Sequence, residues 1–162
     1  MAQVQLRPLK EADEIAMVAM LRSSEVAKTY ILPDFASDAE AVKLFKRLMT
    51  LSQGEETYLR GGYDGEELVG FINQVGAEEG TVEVGYVVAP DKWNRGYGTA
   101  MLTAAMEELF RRGWKTVRAG YFEGNHASRR VMEKSGMKPI AFTDEVTYRG
   151  ENHRCHYLEK HK

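Results

Sequence analysis

The eight residues Trp93-Asn94-Arg95-Gly96-Tyr97-Gly98-Thr99-Ala100 constrain this chain more than any other stretch. They follow an apolar, strand-like run, Val82 to Ala89, and lead into a long helical run, Ala100 to Arg112. A strand, a glycine-punctuated turn and a helix start, in that order, form an anion cradle. Glycine accepts positive φ and lets the backbone approach a ligand closely. The free N–H groups of a helix N-terminus point outward, and the helix dipole favours negative charge there. A phosphate or pyrophosphate is the expected ligand. A glycine turn that merely starts a helix, with no ligand, is the plain alternative for an isolated Gly-x-Gly.

Two phosphate motifs fit poorly. A Walker loop closes on Lys-Ser/Thr, and no such pair follows here. A dinucleotide fingerprint needs a third glycine in an N-terminal βαβ unit, whereas Thr99, Ala100 and Met101 follow Gly98, past the chain's midpoint.

The surroundings narrow the choice. Val82-Glu83-Val84-Gly85-Tyr86-Val87-Val88-Ala89-Pro90, the glycine turn, a strand over Thr116 to Phe122, and Asn125 through Met137 occur in that order. This segment, Thr81 to Met137, resembles the cofactor-binding half of the GNAT superfamily, the acyl-coenzyme A dependent N-acetyltransferases. Trp93 three residues before the first glycine, and Ser128 in Asn125-x-x-Ser128, are similar to the Rim-type branch, which includes ribosomal-protein N-terminal acetyltransferases. The resemblance implies acetyl-CoA as co-substrate, no metal, and an amine acceptor: a small molecule or a protein N-terminus.

The remaining pattern agrees with that layout. Gln3 to Pro8 alternates as a strand, and Glu11 to Leu21 carries apolar residues at helical spacing. Ser23 to Ser37 reads as irregular, with a loop at Tyr30 to Phe35. Ser37 or Asp38 caps a second helix. Strands at Thr57 to Tyr63 and Glu67 to Gln74 join at Asp64-Gly65, a hairpin signal. The central strand Thr81 to Val88 follows. A helix from about Gly98 to Arg112 stops at Gly113. Strand Thr116 to Phe122, helix Ala127 to Lys134, and a hairpin of Ile140 to Tyr148 with Arg154 to Leu158 complete the order βααβββαβαββ. The predicted class is α+β: a GNAT fold with a mixed, mostly antiparallel twisted sheet flanked by helices, as a single acetyltransferase domain over residues 1–162.

Composition excludes several classes. Lys plus Arg is 22 and Asp plus Glu is 24, a balance that argues against nucleic acid as partner. No apolar run approaches the ~20 residues of a membrane span, and the N-terminus lacks a signal-peptide plan. One cysteine, Cys155, rules out an internal disulfide and fits a reducing compartment, so a cytoplasmic protein is expected. The oligomeric state is open, with homodimers common among enzymes of this resemblance.

The implied chemistry is attack of a neutral amine on a thioester. It needs a base, an oxyanion donor and a donor for the leaving thiolate. Glu83 is the candidate base, on the central strand near where several members of the family place a carboxylate; an outward-facing strand residue is the alternative. Ser128 is the candidate donor to sulfur. Many relatives use a tyrosine four residues further on, but that position is Met132, which donates nothing. Cofactor contacts are expected from Val87 and Val88 of a splayed strand, from Trp93, Asn94, Arg95, Gly96, Tyr97, Gly98 and Thr99, and from Asn125 and Ser128. Asn125 also suits a helix N-cap.

Tyr86 and Tyr121 read as core or cleft-wall aromatics. His153 and His156 fall on opposite strand faces, so no metal pair is expected. The loop Tyr30 to Phe35 and the hairpin near Thr147 to Asn152 are expected to line the acceptor side, with Asp34 and Glu151 as amine anchors. The acceptor is expected to be a cationic primary amine. The rival readings are a non-catalytic acyl-CoA-binding sensor of the same fold, and an unrelated nucleotide-binding module.

Overall fold

The computed structural model describes residues 2–162. All seven strands form one sheet, in the order β1-β2-β3-β4-β5-β7-β6. β1 is Gln5–Arg7, β2 Leu59–Asp64, β3 Glu67–Glu78, β4 Thr81–Val88, β5 Thr116–Phe122, β6 Lys138–Tyr148 and β7 Glu151–His161. Five α-helices flank it: α1 Glu14–Leu21, α2 Ser24–Ala27, α3 Asp38–Gln53, α4 Tyr97–Arg111 and α5 His126–Lys134. Every neighbouring pair is antiparallel except β4 and β5. The expected class and mixed sheet are therefore present.

Two apolar layers cover the sheet. On one face α1, α2 and α3 pack Met17, Met20, Val26 and Phe45 against Leu59, Phe71 and Val87. On the other, α4 and α5 pack Met101, Leu102, Met106 and Met132 against Val82, Val84 and Val117. Alternation along β4 sorts its side chains: Val82, Val84, Tyr86 and Val88 go to the α4–α5 face, and Val87 to the opposite one.

The differences from expectation have local causes. The irregular stretch after Ser23 contains α2, because the Ser23 hydroxyl accepts the Val26 N–H and starts one turn of helix. Ser37 is the cap of α3, accepting the Glu40 N–H. β3 runs past Gln74 to Glu78 because Val75 is looped out as a bulge and pairing resumes beyond it. β7 reaches Glu151 and His161, paired on one side to β6 and on the other to β5.

Glycine is required where β3 meets β4. A Cβ on Gly70 would lie 2.2 Å from the Val87 carbonyl oxygen. Gly70→Ala is therefore expected to displace β4 and lower the urea midpoint, at a cost of about 1–3 kcal/mol with an unchanged m value. An unaltered midpoint would show that the strands can part without penalty.

Candidate active site

β4 and β5 run side by side but pair only over Thr81–Glu83 and Thr116–Arg118. Beyond the Glu83/Arg118 pair they separate. Each keeps its other neighbour: β4 stays on β3 to Val88, and β5 stays on β7 to Phe122. A gap opens between Val84–Val88 and Ala119–Phe122.

The backbone facing this gap can be identified. The Ala89 N–H bonds Val69 on β3, and the Val87 carbonyl points at Gly70 of β3. At the other end the Gly80 carbonyl accepts the Thr116 N–H of β5. Amide groups alternate sides along a strand, so Val84, Tyr86 and Val88 turn theirs into the gap. The Trp93 indole N–H already bonds the Val88 carbonyl at 2.8 Å. This corrects the expectation for Val87: its amide serves β3, and its side chain is buried under α1 to α3. The amides that turn toward the gap at this end of β4 are those of Tyr86 and Val88.

The glycine turn sits at the mouth of the gap. Asn94 and Gly96 take positive φ, +64° and +85°. Gly96 is the N-cap of α4, and among the described residues no side chain caps that helix end. Its first backbone bond is Ala100 N–H to the Gly96 carbonyl. The preceding N–H groups, Asn94 to Thr99, have no acceptor among the described residues. Gly98 lets α5 close in: a Cβ there would lie 3.4 Å from both γ carbons of Val131. Arg95 is exposed and forms no ion pair among the described residues, whereas Lys92 is bound to Glu67 at 2.9 Å. This bare helix end fits an anionic diphosphate.

Ser128 and Glu83 lie on opposite faces of the sheet. Asn125 caps α5 by accepting the Ser128 N–H. The Ser128 hydroxyl lies 2.8 Å from the Tyr86 hydroxyl. Burial pushes the Tyr86 phenol up to about 12, against a smaller opposing effect of the bond to Ser128. Tyr86, read as a wall aromatic, is thus in direct contact with a candidate catalytic group. The alternation of Val82, Val84 and Tyr86 gave its face; the contact depends on where α5 docks, which no local pattern encodes. Tyr121 stacks on His156 instead, at 5.5 Å.

Glu83 faces the α1–α3 side. Burial raises its pKa; Arg118 opposes the rise, and Asp144 and Glu78 add to it. Glu83 and Asp144 also act together on Cys155 and Tyr157, both buried on β7. Asp144 of β6, missed in the sequence, is one of two carboxylates, with Glu78, whose charge reaches Glu83. It became visible only once the register of β6 on β7 set Asp144 against Cys155.

The two segments expected on the acceptor side do meet. The Leu32 N–H bonds the Tyr148 hydroxyl, which also approaches the Tyr30 carbonyl. The Arg149 guanidinium donates to the carbonyls of Leu32 and Pro33. Asp34 is exposed, and Glu151 lies near His153 at the hairpin tip. His153 stacks on Phe122, while His156 bonds Glu123. Among the described residues no three potential ligands gather as a metal site, and no helix is long and apolar enough to cross a membrane. Two surface grooves, of about 730 and 470 Å³, lie beside α1 and include neither Glu83 nor Ser128. The gap is the only one of these places that combines unpaired backbone with titratable groups.

A splayed parallel strand pair with a glycine-started helix at its mouth is the arrangement of the GNAT fold. Residues 3–138 match the model of the acetyltransferase (GNAT) domain, and the chain belongs to the GNAT acetyltransferase family. It is 27% identical over 149 residues to the uncharacterised N-acetyltransferase YoaA of Bacillus subtilis (strain 168), covering 88% of this chain and 84% of that protein. An acetyltransferase (GNAT family) from Bacillus anthracis superposes with a TM-score of 0.84 at 22% identity, over 99% of this chain and 95% of the other. RimL, a ribosomal L7/L12 alpha-N-protein acetyltransferase solved with coenzyme A, superposes with a TM-score of 0.82 at 16% identity, over 99% and 95%. At those identities the structural likenesses speak for the fold.

The Glu83 environment yields a sign for stability. The folded chain holds this carboxyl proton more tightly than the unfolded chain, whose carboxyl titrates near ~4.3. Below that range both states are protonated and Glu83 costs nothing. As pH rises through the raised folded value, ionisation destabilises the fold. Glu83→Gln is expected to be more stable than the parent at pH 7, with the gain vanishing in acid. Urea titrations at pH 7 and pH 4 check this; a loss at pH 7 would mean the Arg118 pairing outweighs burial.

Proposed function

We propose that residues 1–162 form a single acetyltransferase domain that moves the acetyl group of acetyl-CoA to a cationic primary amine by direct attack on the thioester, in a cytoplasmic setting. The observation that carries this reading is the early end of β4–β5 pairing beside an uncapped α4 N-terminus. A gap with free strand amides suits an extended amide-bearing arm, and the bare helix end suits the attached diphosphate. Acetyl-CoA supplies the activated acyl group; the rest of the chemistry falls to side chains and backbone of this chain.

The amide groups of Asn94 to Thr99 hold the diphosphate, with Arg95 adding charge. The Val88 and Tyr86 backbone lines the gap, and a strand N–H there is placed to donate to the developing oxyanion. Trp93 pins the Val88 carbonyl. Asn125 fixes the first turn of α5 and so the place of Ser128. The thiolate leaves on the α4–α5 side, where Ser128 donates to it.

The amine enters from the α1–α3 side, beneath the Tyr30–Pro33 loop and the β6–β7 turn. An ammonium has no lone pair, so its proton must leave first. A lysine-type amine with a pKa of ~10.4 needs that help more than an α-amine at ~7.7–8.0. Glu83 takes the proton. Its raised pKa makes it a better acceptor than an ordinary surface carboxylate. The charges of Asp144 and Glu78 that reach Glu83 favour a cationic acceptor over a neutral hydroxyl.

Purified protein with acetyl-CoA and a panel of amines should release thiol. Glu83→Gln should lower kcat about 100-fold for a lysine-type amine and less for an α-amine. Absence of thiol release with every amine, despite coenzyme A binding, would favour a sensor domain of the same fold.

A further inference from the structure

Ser128 is an unusual donor for a thiolate, because an isolated hydroxyl rotates freely and its hydrogen has no preferred direction. In this chain it is not isolated. Its N–H is taken by Asn125, and its Oγ is 2.8 Å from the Tyr86 hydroxyl. The same phenol reaches the Ser128 carbonyl at 3.3 Å. Tyr86 is anchored on β4, which stays paired to β3 at Ile72, so the phenol is held by the sheet and not by the helix it touches. One turn further along α5, the position where many relatives carry tyrosine is Met132, buried in the core. A phenol therefore does reach the first turn of α5, but it comes from the neighbouring strand.

We propose that Tyr86 is a positioning residue: its phenol donates to Ser128 Oγ, and the serine's own hydrogen is thereby directed into the gap to bond the departing sulfur. The inference rests on the acetyltransferase reading above. It does not make Tyr86 the source of a proton. A phenol at about 12 is a much weaker acid than a thiol near ~8.5, so passing its proton through Ser128 to the thiolate would run uphill. The proton that finally rests on sulfur comes from solvent or from the amine, and the Tyr86–Ser128 pair contributes aligned hydrogen bonds. Burial helps here, because it keeps Tyr86 protonated, and so a donor, across the physiological range.

The test uses Tyr86→Phe, Ser128→Ala and the double variant of the full chain. Phenylalanine preserves the ring that packs against the α4–α5 layer, and the urea midpoint is read alongside. Each single change is expected to lower kcat about 10- to 100-fold, as for the loss of one hydrogen bond to a charged group. The KM for acetyl-CoA should stay within about twofold. The double variant should be no worse than the poorer single one, because both changes remove one unit.

A second readout needs no turnover. Calorimetry compares binding of coenzyme A and desulfo-coenzyme A across pH. The parent should prefer the thiolate form, and Tyr86→Phe should lose that preference by the same factor as Ser128→Ala. Losses that multiply in the double variant, or a Tyr86→Phe protein with parental kcat and parental preference for the thiolate, would overturn the role of Tyr86 while leaving the acetyltransferase reading intact. Failure of the parent to bind either ligand would overturn both.

Discussion

Everything at the site depends on β4 and β5 failing to zip together. Parallel strands of this length would ordinarily pair along their whole extent, since an unpaired buried backbone group costs ~1–3 kcal/mol. Here pairing stops after three residues on each strand. Each strand is held by its outer neighbour, β4 by β3 and β5 by β7, over a longer stretch. The Val75 bulge in β3 lies opposite the last paired residues of β4 and adds local twist. On the other side a Cβ on Gly120 would meet the Tyr157 ring at 2.7 Å, so β5 lies tightly under a β7 side chain. The two halves of the sheet are thus fixed independently, and the seam between them stays open. The cost is met only if something extended, water or ligand, bonds the free amides of Val84, Tyr86 and Val88.

The seam also separates charges. Glu83 occupies the α1–α3 side, and the uncharged Tyr86–Ser128 pair occupies the α4–α5 side. A base and a thiolate on the same side would repel one another through a poorly screened interior. Under the proposed reaction, placing them on opposite faces lets the base be negative beforehand while the leaving group becomes negative during it. The strand that divides them, β4, is the same one whose backbone N–H groups open into the gap.

Much of this was legible in the sequence, and the limits are physical. The Gly96/Gly98 turn, the Ser37 cap and the apolar spacing of α4 are local signals, and they gave the glycine cradle and most of the element order. Ser128 and Glu83 came from their places in a family-like pattern, and the fold sets them at two sides of one gap. Val87 was misplaced because hydrophobic alternation says which face a side chain takes, not which neighbour its amide takes. Tyr86 was undervalued and Asp144 missed for a related reason: the one meets α5 from β4 and the other is placed by the register of β6 on β7, and pairings between distant segments leave no periodic trace. The helix α2 was lost because four residues are too few to show a period, though Ser23 was there to cap it.

Backbone strain points to the same two ends of the seam. Among the described residues only Asn94 and Arg149 take positive φ without being glycine, at +64° and +51°. Asparagine visits this region at small cost, and Asn94 uses it to turn successive amides toward the mouth of the gap. Arginine is a poorer choice. A two-residue turn with positive φ at both Arg149 and Gly150 would suit Asn-Gly better. The Arg149 guanidinium gives the reason: it bonds the Leu32 and Pro33 carbonyls and ties the hairpin to the Tyr30–Pro33 loop. Strain of order ~1–3 kcal/mol survives where surrounding contacts over-determine it. At one end those contacts leave successive backbone amides free at the start of α4, and at the other they tie the β6–β7 turn to the Tyr30–Pro33 loop.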